Sequence, residues 1–216
     1  MAAGSLRRIS KAIAVVLVSA TTYLPVNGAF TAPDYGARTS SVLHVPLLRD
    51  GDIVLRRGLD MMSRLVLTQG DAAQFSHVGL VVLQRNIPFV IHAIPAENGR
   101  TGGAVLESFA QFVSPSEAAE VAIYRSADLT EIQAAMVRQT AFSQLGLPFD
   151  ERFQLSNIKK VYCTGLVLRS YAAAGLGLID ARAQIEVPLL PESVVPPDHI
   201  RRYPALPLNL ITSFSP

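Results

Sequence analysis

The pattern of apolar and polar residues predicts a set of short β-strands in the first half of the chain. Short runs of β-branched and large apolar residues alternate with turn-forming residues such as Asp50 and Gly51. Two of these runs, at residues 76–83 and 88–94, are separated by a few polar residues and predict an antiparallel hairpin. The other predicted strands lie at residues 52–57, 104–108 and 120–124.

The hydrophobic period then changes from two to about 3.6, which predicts a helix over residues 130–145. Ser126 and Asp128 provide capping chemistry before this helix, and Gly146 provides a stop. The residues that share its apolar face are Ile132, Ala135, Met136, Gln139, Phe142 and Leu145.

A second long helix is predicted over residues 162–174 and ends at Gly175, while a shorter one is predicted over residues 61–67. Strands that cluster before helices and are joined by tight turns favour an α+β fold with an antiparallel sheet. The stripe on the second helix comprises Cys163, Leu166, Val167, Ser170, Tyr171 and Ala174.

Residues 1–29 have the composition of a secretory signal, with three cations before a short apolar run and small residues after it. The apolar run is shorter than the about 20 residues that cross a bilayer. The sequence therefore predicts export to a periplasmic or extracellular location. The alternative is an uncleaved N-terminal anchor, which would associate the protein with a membrane. Residues 30–46 are predicted to be a linker, and residues 47–216 one domain with a Pro-rich tail that adds no core.

The net charge of +2 includes three cations in the predicted signal, so the rest of the chain is close to neutral. This balance argues against nucleic acid as a partner, because nucleic-acid binding needs clustered Lys and Arg. Cys163 is the single cysteine, which excludes an internal disulfide and a thiolate metal site. The sequence predicts neither a metal nor a cofactor.

Cys163 lies in the first turn of the second long helix, where the helix dipole is expected to lower the pKa of a thiol. A lowered pKa matters because the thiolate is the nucleophile. Backbone N–H groups at the same helix start can also stabilise an oxyanion. The alternative interpretation is a small buried core residue, since free cysteine is among the most buried types.

His77 and His92 lie on the two strands of the predicted hairpin. A two-residue turn at residues 84–85 would pair them directly, and a longer loop or a bulge would set another register. Together with Cys163 they fit a thiol hydrolase, in which a cysteine attacks an acyl carbon and a histidine accepts the thiol proton. His44 and His199 lie in Pro-rich flanks and are expected to be bystanders.

Several runs of the chain, in order and at similar spacing, resemble the YiiX/YaeF-type permuted papain-like hydrolases of the NlpC/p60 superfamily. The resemblance covers about residues 47–200 and implies a small antiparallel sheet packed on the cysteine helix, circularly permuted relative to papain. The runs are residues 50–56 (DGDIVLR), 75–81 (FSHVGLV), 90–93 (VIHA), 146–150 (GLPFD), 162–167 (YCTGLV) and 197–198 (PD).

The resemblance also implies roles for individual residues. Cys163 matches the nucleophile of the family, His77 matches the general base, and His92 falls where the family places its third, orienting residue. Many members of this branch carry Glu at the position of His92, so its role is open. Glu107 is a second candidate for orienting His77, with a solvated strand end as the alternative.

Tyr162 and Thr164 flank the cysteine and are predicted to lie near the site, beside the oxyanion. Residues 61–74 and 97–103 are predicted to form the rims of the cleft.

The leading functional hypothesis is a cysteine amidase or peptidase that acts on a small peptide or amide, with cell-wall peptides as one possibility. One alternative is an acyltransferase, thioesterase or lipid hydrolase that uses the same Cys–His pair, which an apolar cleft would favour. The other is a catalytically inactive binding module of the same fold, which an unreactive Cys163 would favour.

Overall fold

The structure is a computed structural model that describes residues 47–68, 73–97, 99 and 101–216. The predicted signal at residues 1–29, the predicted linker at 30–46 and His44 lie outside the described residues. Within the described part of the chain, every helix is too short or too polar to cross a membrane.

Six antiparallel strands form one sheet in the order β4-β3-β2-β1-β5-β6. Each of the five strands predicted from the alternating pattern is present, within one or two residues at most ends. The strands are β1 (Ile53–Gly58), β2 (His77–Gln84), β3 (Ile87–Ile94), β4 (Gly103–Ser108), β5 (Ala118–Ser126) and β6 (Leu208–Phe214).

The helices pack on both faces of this sheet, which confirms the predicted α+β class. On one face, Leu80 and Ile91 pack against Leu166 of the cysteine helix, which also contacts α3. On the other face, Val54 packs with Phe112 of a short helix that the sequence pattern did not predict. The helices are α1 (Met61–Leu67), α2 (Phe109–Phe112), α3 (Glu131–Ser143), α4 (Cys163–Ala173) and α5 (His199–Arg202).

The β2–β3 hairpin has a different register from the one that pairs His77 with His92. Its turn is centred on Arg85 and Asn86, which both have positive φ (51° and 65°), as a type I′ turn requires. This turn places His92 opposite Gly79, so the direct pairing that a turn at residues 84–85 would give does not occur. Asn tolerates the left-handed backbone better than most residues, which favours a turn one residue later. His77 and His92 are consequently diagonal neighbours on one face.

Helix α3 begins after Thr130, and not at the caps predicted at Ser126 and Asp128. Thr130 accepts a hydrogen bond from the backbone N–H of Gln133, whose side chain returns to the Thr130 backbone, so the two form a capping box. The apolar face of α3 also differs from the prediction. The small residues Val137 and Ala141 are buried, whereas Ile132 is 76% exposed.

The Pro-rich tail contributes core, which contradicts the prediction that it adds none. Val195 and Ile200 are fully buried, and β6 extends the sheet at its edge. Asp198 accepts hydrogen bonds from the backbone N–H of Phe75 and from Arg201, so it ties the tail to the segment that leads into β2. His199 is buried, and its Nδ1 lies 2.8 Å from the carbonyl oxygen of Ala183, which makes it a structural residue.

Tyr171 joins α4 to the start of the sheet and provides a test of the packing. Its buried hydroxyl donates a 2.8 Å hydrogen bond to the carbonyl oxygen of Gly51. We expect Tyr171→Phe to lower the free energy of unfolding by about 1–2 kcal/mol, because it leaves a buried carbonyl without its partner. Urea denaturation measures this change. An unchanged midpoint would show that the contact contributes no stability.

Candidate active site

A cavity of about 490 Å³ opens where the ends of several strands meet α1 and the N-terminus of α4. It is lined by Cys163, His77 and His92, the three residues that the sequence predicts to be catalytic, and also by Glu107. The predicted rims contribute as well, through Ser63, Arg64 and Val66 of α1 and through Glu97 after β3. The fold therefore brings Cys163 into one cavity with His77, which precedes it by 86 positions along the chain.

Cys163 is the first residue of α4 and is partly buried. Its N-cap residue, Tyr162, has extended backbone and makes no side-chain capping bond, so the first N–H groups of the helix are not occupied by a cap. The Cys163 sulfur lies 3.9 Å from the Thr164 hydroxyl oxygen. These features place the thiol at the positive end of an 11-residue helix.

The pKa of the Cys163 thiol lies above its ordinary value, so the lowered pKa predicted from the helix position was wrong. Burial is the largest cause, because the thiolate is poorly solvated there. Hydrogen bonds to the sulfur from the Thr164 hydroxyl and from backbone N–H groups, including that of Val78, lower the pKa by less than burial raises it. The resting sulfur is therefore a neutral thiol.

His77 is neutral as well, because its pKa lies well below its ordinary value. Burial is the main cause, followed by the positive charge of Arg56 and then by His92. His77 and Cys163 line the same cavity, and a neutral imidazole there keeps a ring-nitrogen lone pair that can accept a proton.

A chain of three side chains leads from His77 to a carboxylate. The Nε2 atom of His77 lies 2.8 Å from Nδ1 of His92, and the two rings meet edge to face with centroids 5.1 Å apart. The Nε2 atom of His92 lies 3.2 Å from Oε2 of Glu107. The contact between His92 and Glu107 is an ion-pair contact, in which the negative charge of Glu107 favours a proton on Nε2 of His92. With its proton on Nε2, His92 accepts at Nδ1, and His77 donates its Nε2–H to that atom.

This arrangement gives His77 one tautomer, with the proton on Nε2 and a lone pair on Nδ1. His92 and Glu107 lie in series behind His77, so the two candidates for the orienting residue are parts of one arrangement. The side chain of Glu107 is only 16% exposed, so it is not a solvated strand end.

Tyr162 and Thr164 flank Cys163, and neither is among the residues that line the cavity. Tyr162 is 2% exposed and its ring packs in the core, edge to face with Phe153. Thr164 is fully buried, and its hydroxyl oxygen lies 3.9 Å from the Cys163 sulfur. Thr164 therefore contacts the thiol through its side chain, whereas the Tyr162 ring is part of the core.

Gly79 makes room for His92 and the strand that carries it. It pairs with His92, and a Cβ atom added at Gly79 would lie 2.4 Å from the side chain of Val90 and 3.1 Å from Cβ of His92. Such contacts are too short, so a side chain here would displace the strand that carries His92. The Ser-His-Val-Gly run is thus explained by packing as well as by chemistry.

Two residues around the histidines were not predicted from the sequence. Phe112 of α2 contacts both imidazoles, with centroids 5.8 Å from His77 and 5.0 Å from His92, and the Arg56 guanidinium lies over the same ring at 4.5 Å. The apolar spacing of Phe109 and Phe112 after Ser108 was a detectable signal for α2. The detectable signal for Arg56 was a charged residue that directly follows three apolar residues in a buried strand.

The structure is similar to a solved structure titled as the metalloprotein yiiX from Escherichia coli O157:H7. The TM-score is 0.65 and the sequences are 20% identical, with 79% of this chain and 100% of the other chain covered. At this identity the match establishes a shared fold.

The word metalloprotein in that title applies to the E. coli protein. Among the residues described in the present structure, no group of three or more His, Cys, Asp or Glu side chains could hold a metal ion. His77 and His92 face each other through ring nitrogens, and the second nitrogen of His92 faces Glu107. These donors are engaged with one another and do not fit a metal site.

A search of curated proteins gives no match for this chain. The family model described as "Permuted papain-like amidase enzyme, YaeF/YiiX, C92 family" matches residues 47–188, which is well over half of the chain. The matched region contains the sheet strands β1–β5, the cysteine helix and every side chain of the cavity named above. The chain therefore belongs to the permuted papain-like amidases of the YaeF/YiiX family.

Proposed function

We propose that this protein is a cysteine amidase or peptidase that cleaves an amide bond with Cys163 as nucleophile and His77 as general base. The observation that carries the proposal is the ordered chain from Glu107 through His92 to His77, which leaves Nδ1 of His77 as an acceptor in the cavity that Cys163 also lines. A nucleophile, a base and a group that orients the base are the parts that thiol hydrolysis needs.

In the proposed reaction, Nδ1 of His77 takes the proton of Cys163 as the sulfur attacks the carbonyl carbon of the substrate. The tetrahedral intermediate collapses when the C–N bond breaks, and the imidazolium gives its proton to the departing amine. A water molecule then attacks the thioester and loses a proton to His77. The C–S bond breaks, the carboxylic acid leaves, and the proton returns to Cys163.

The start of α4 is the proposed oxyanion site. The N-terminal N–H groups of the helix have no side-chain cap from Tyr162, and the helix dipole favours negative charge there. Donors fixed in the backbone stabilise the developing oxyanion without reorganising. This role belongs to the backbone N–H groups, since the Tyr162 ring packs in the core and gives the helix no side-chain cap.

Many family members carry Glu at the position of His92, and in this chain Glu107 supplies the missing negative charge. An imidazole alone is a weak partner for an imidazolium, but Nε2 of His92 lies 3.2 Å from the partly buried Glu107 carboxylate. The negative charge of Glu107 is thereby coupled to His77 through one intervening ring. A catalytically inactive binding module has no need for this ordered chain.

The charged and hydroxyl side chains of the cavity lining favour a substrate with polar amide groups. The lining also includes apolar side chains, among them Ile94, Phe149 and Phe153, which suit the apolar side chains of a peptide. Small peptides fit this lining, and cell-wall peptides would be reached if residues 1–29 direct export. The polar members of the lining include Asp60, Ser63, Arg64, Glu97, Ser116 and Glu117.

A Glu107→Gln variant tests the proposed chain of hydrogen bonds. The amide keeps the shape but removes the charge, and we expect kcat/KM to fall about tenfold to a hundredfold, the range that corresponds to a hydrogen bond to a charged group. Turnover of a panel of short peptides measures the loss. Glu131→Gln, at the exposed start of α3, is the matched control and should leave turnover unchanged. Equal turnover in both variants would remove Glu107 from the mechanism.

A further inference from the structure

Arg56 is a buried cation next to the proposed base. It lies in the middle of the sheet on β1, directly opposite His77 on β2, so the two side chains project from the same face. Arg56 is 5% exposed and lines the cavity that contains Cys163. A buried charge at this position is costly and is rarely found without a specific role.

The partners of Arg56 compensate its charge only in part. Its Nη1 donates a 3.0 Å hydrogen bond to the carbonyl oxygen of Phe112, and its Nη2 lies 3.6 Å from Oε2 of Glu117. The Nε atom is buried without a hydrogen-bond partner among the described residues. Burial lowers the pKa of the guanidinium, but this group stays protonated in proteins. A positive charge therefore remains beside His77.

Other elements bring further charged or titratable groups towards His77. His92 of β3 contacts its Nε2 directly, and Glu107 of β4 acts from behind His92. Phe112 of α2 is uncharged. Five further charged or titratable groups line the cavity. They are Cys163 of α4, Glu117 just before β5, Asp60 just before α1, Arg64 within α1 and Glu97 after β3. Of the permanent charges, Arg56 is the one paired with His77 across adjacent strands.

We propose that Arg56 is a positioning residue that keeps His77 as a neutral imidazole, ready to accept the thiol proton on Nδ1. The proposal deepens the proposed function and rests on it to the extent that His77 is the base. Paired residues on adjacent antiparallel strands have Cβ atoms about 5 Å apart. At this separation, away from bulk water, a guanidinium strongly disfavours a second positive charge.

Phe112 supports this arrangement mechanically. Its ring contacts His77 and His92 and also lies under the guanidinium, while its carbonyl oxygen accepts from Arg56. Phe112 therefore holds the guanidinium through both its ring and its carbonyl oxygen. The guanidinium cannot move further towards Glu117 without losing these two contacts. The charge therefore keeps a constant position relative to the imidazole.

The consequence for the enzyme is a shift of its working range towards acid. A like charge lowers the pKa of His77, in the same direction as burial. The base form of His77 then persists below the pH at which an ordinary histidine, with a pKa of about 6.5, becomes protonated. Removing the Arg56 charge raises the pKa of His77, and activity is lost at a higher pH as the solution is acidified.

The test is a direct titration of His77 by NMR of its imidazole nitrogens in the full chain, with the resonances assigned from His77→Gln. We expect Arg56→Gln to move the His77 midpoint to higher pH and Arg56→Lys, which keeps the charge, to leave it close to wild type. An Arg56→Gln midpoint that stays at the wild-type value, or an Arg56→Lys midpoint that moves as far as that of Arg56→Gln, would overturn the proposal.

Glu117→Gln provides a second test if the Arg56 variants do not fold, because the Glu117 side chain is 33% exposed and tolerates substitution more readily. It removes the negative charge beside Arg56, so the His77 midpoint should fall, and an unchanged or higher midpoint would count against the proposal. The acid limb of the pH profile of kcat/KM distinguishes failure of the Arg56 proposal from failure of the proposed role of His77 as the base. A limb that stays in place while the Arg56→Gln midpoint moves would leave the role of Arg56 intact and refute His77 as the base.

Discussion

Replacing Cys163 with alanine is expected to reduce amide hydrolysis by more than about 10³-fold, which in practice is a complete loss of activity. The sulfur is the atom that forms the covalent intermediate, and a methyl group cannot replace it. The remaining activity would come from binding and from the N–H groups of α4 alone. Initial rates on the most rapidly cleaved peptide of the panel, with enzyme concentration raised for the variant, measure this loss.

The same variant should remain folded, because Cys163 is only partly buried, at the margin of the core, and alanine removes a single atom there. Circular dichroism and the urea midpoint check this point. Cys163→Ser is the matched control, since it keeps a nucleophilic atom that is far harder to deprotonate, and it should be nearly as inactive as alanine. An alanine variant that unfolds, with a serine variant that stays folded, would favour the buried-core interpretation of Cys163.

Replacing His77 with alanine is the second large expected effect, a loss of about 10²–10⁴-fold in kcat/KM. The neutral thiol makes the loss large, because burial raises the pKa of Cys163 and the thiolate is scarce without a base. Imidazole added to the solution should restore part of the activity, since the truncated side chain leaves space in the cavity. Rates with and without imidazole, at constant ionic strength, measure both effects.

Rescue distinguishes a base from a structural residue. Free imidazole should increase turnover of His77→Ala but leave that of Cys163→Ala unchanged, because only the first variant retains its nucleophile. If His77→Ala keeps wild-type turnover, or if imidazole stimulates both variants equally, His77 is not the base.

Much of the sheet could be predicted because each strand is a short run of β-branched and apolar residues bounded by turn-forming residues. These features are local and can be read from the sequence. The hairpin at β2 and β3 was found from its two apolar runs, but its register depended on the backbone preference of Asn86. The tail was underestimated for a different reason. The burial of Val195 and Ile200 depends on contacts with distant segments, which a local pattern does not contain.

The site was predictable where residue type alone indicates chemistry, as for Cys163, His77 and His92. It was only partly predictable where the chemistry depends on distance: the sequence offered Glu107 as a second candidate for orienting His77, but not its position against His92 from the neighbouring strand. The pKa of Cys163 shows the same limit. The helix position suggested a lowered value, whereas burial, which only the tertiary structure reveals, has the larger and opposite effect.

The two pKa shifts together describe a pair that rests without charge. Many thiol enzymes are discussed as preformed thiolate–imidazolium pairs, but here burial disfavours both charged forms. Proton transfer is then coupled to attack on the substrate, and reactivity appears when an acyl carbon occupies the cavity. The resting thiol should accordingly react slowly with simple alkylating reagents at neutral pH, since the thiolate is the reactive form. Slow alkylation alone therefore no longer favours an inactive binding module, and acylation of Cys163 by a substrate is the reaction that distinguishes the two.

The most direct test of the central claim is the reaction of the protein with p-nitrophenyl acetate, followed by release of p-nitrophenol and by mass spectrometry of the acidified protein. We predict a rapid burst of about one equivalent of p-nitrophenol and an acetyl group on Cys163, with no burst in Cys163→Ala and a burst at least about 10²-fold slower in His77→Ala. Acetylation at other residues only, or acetylation of Cys163 at the same rate without His77, would contradict the account.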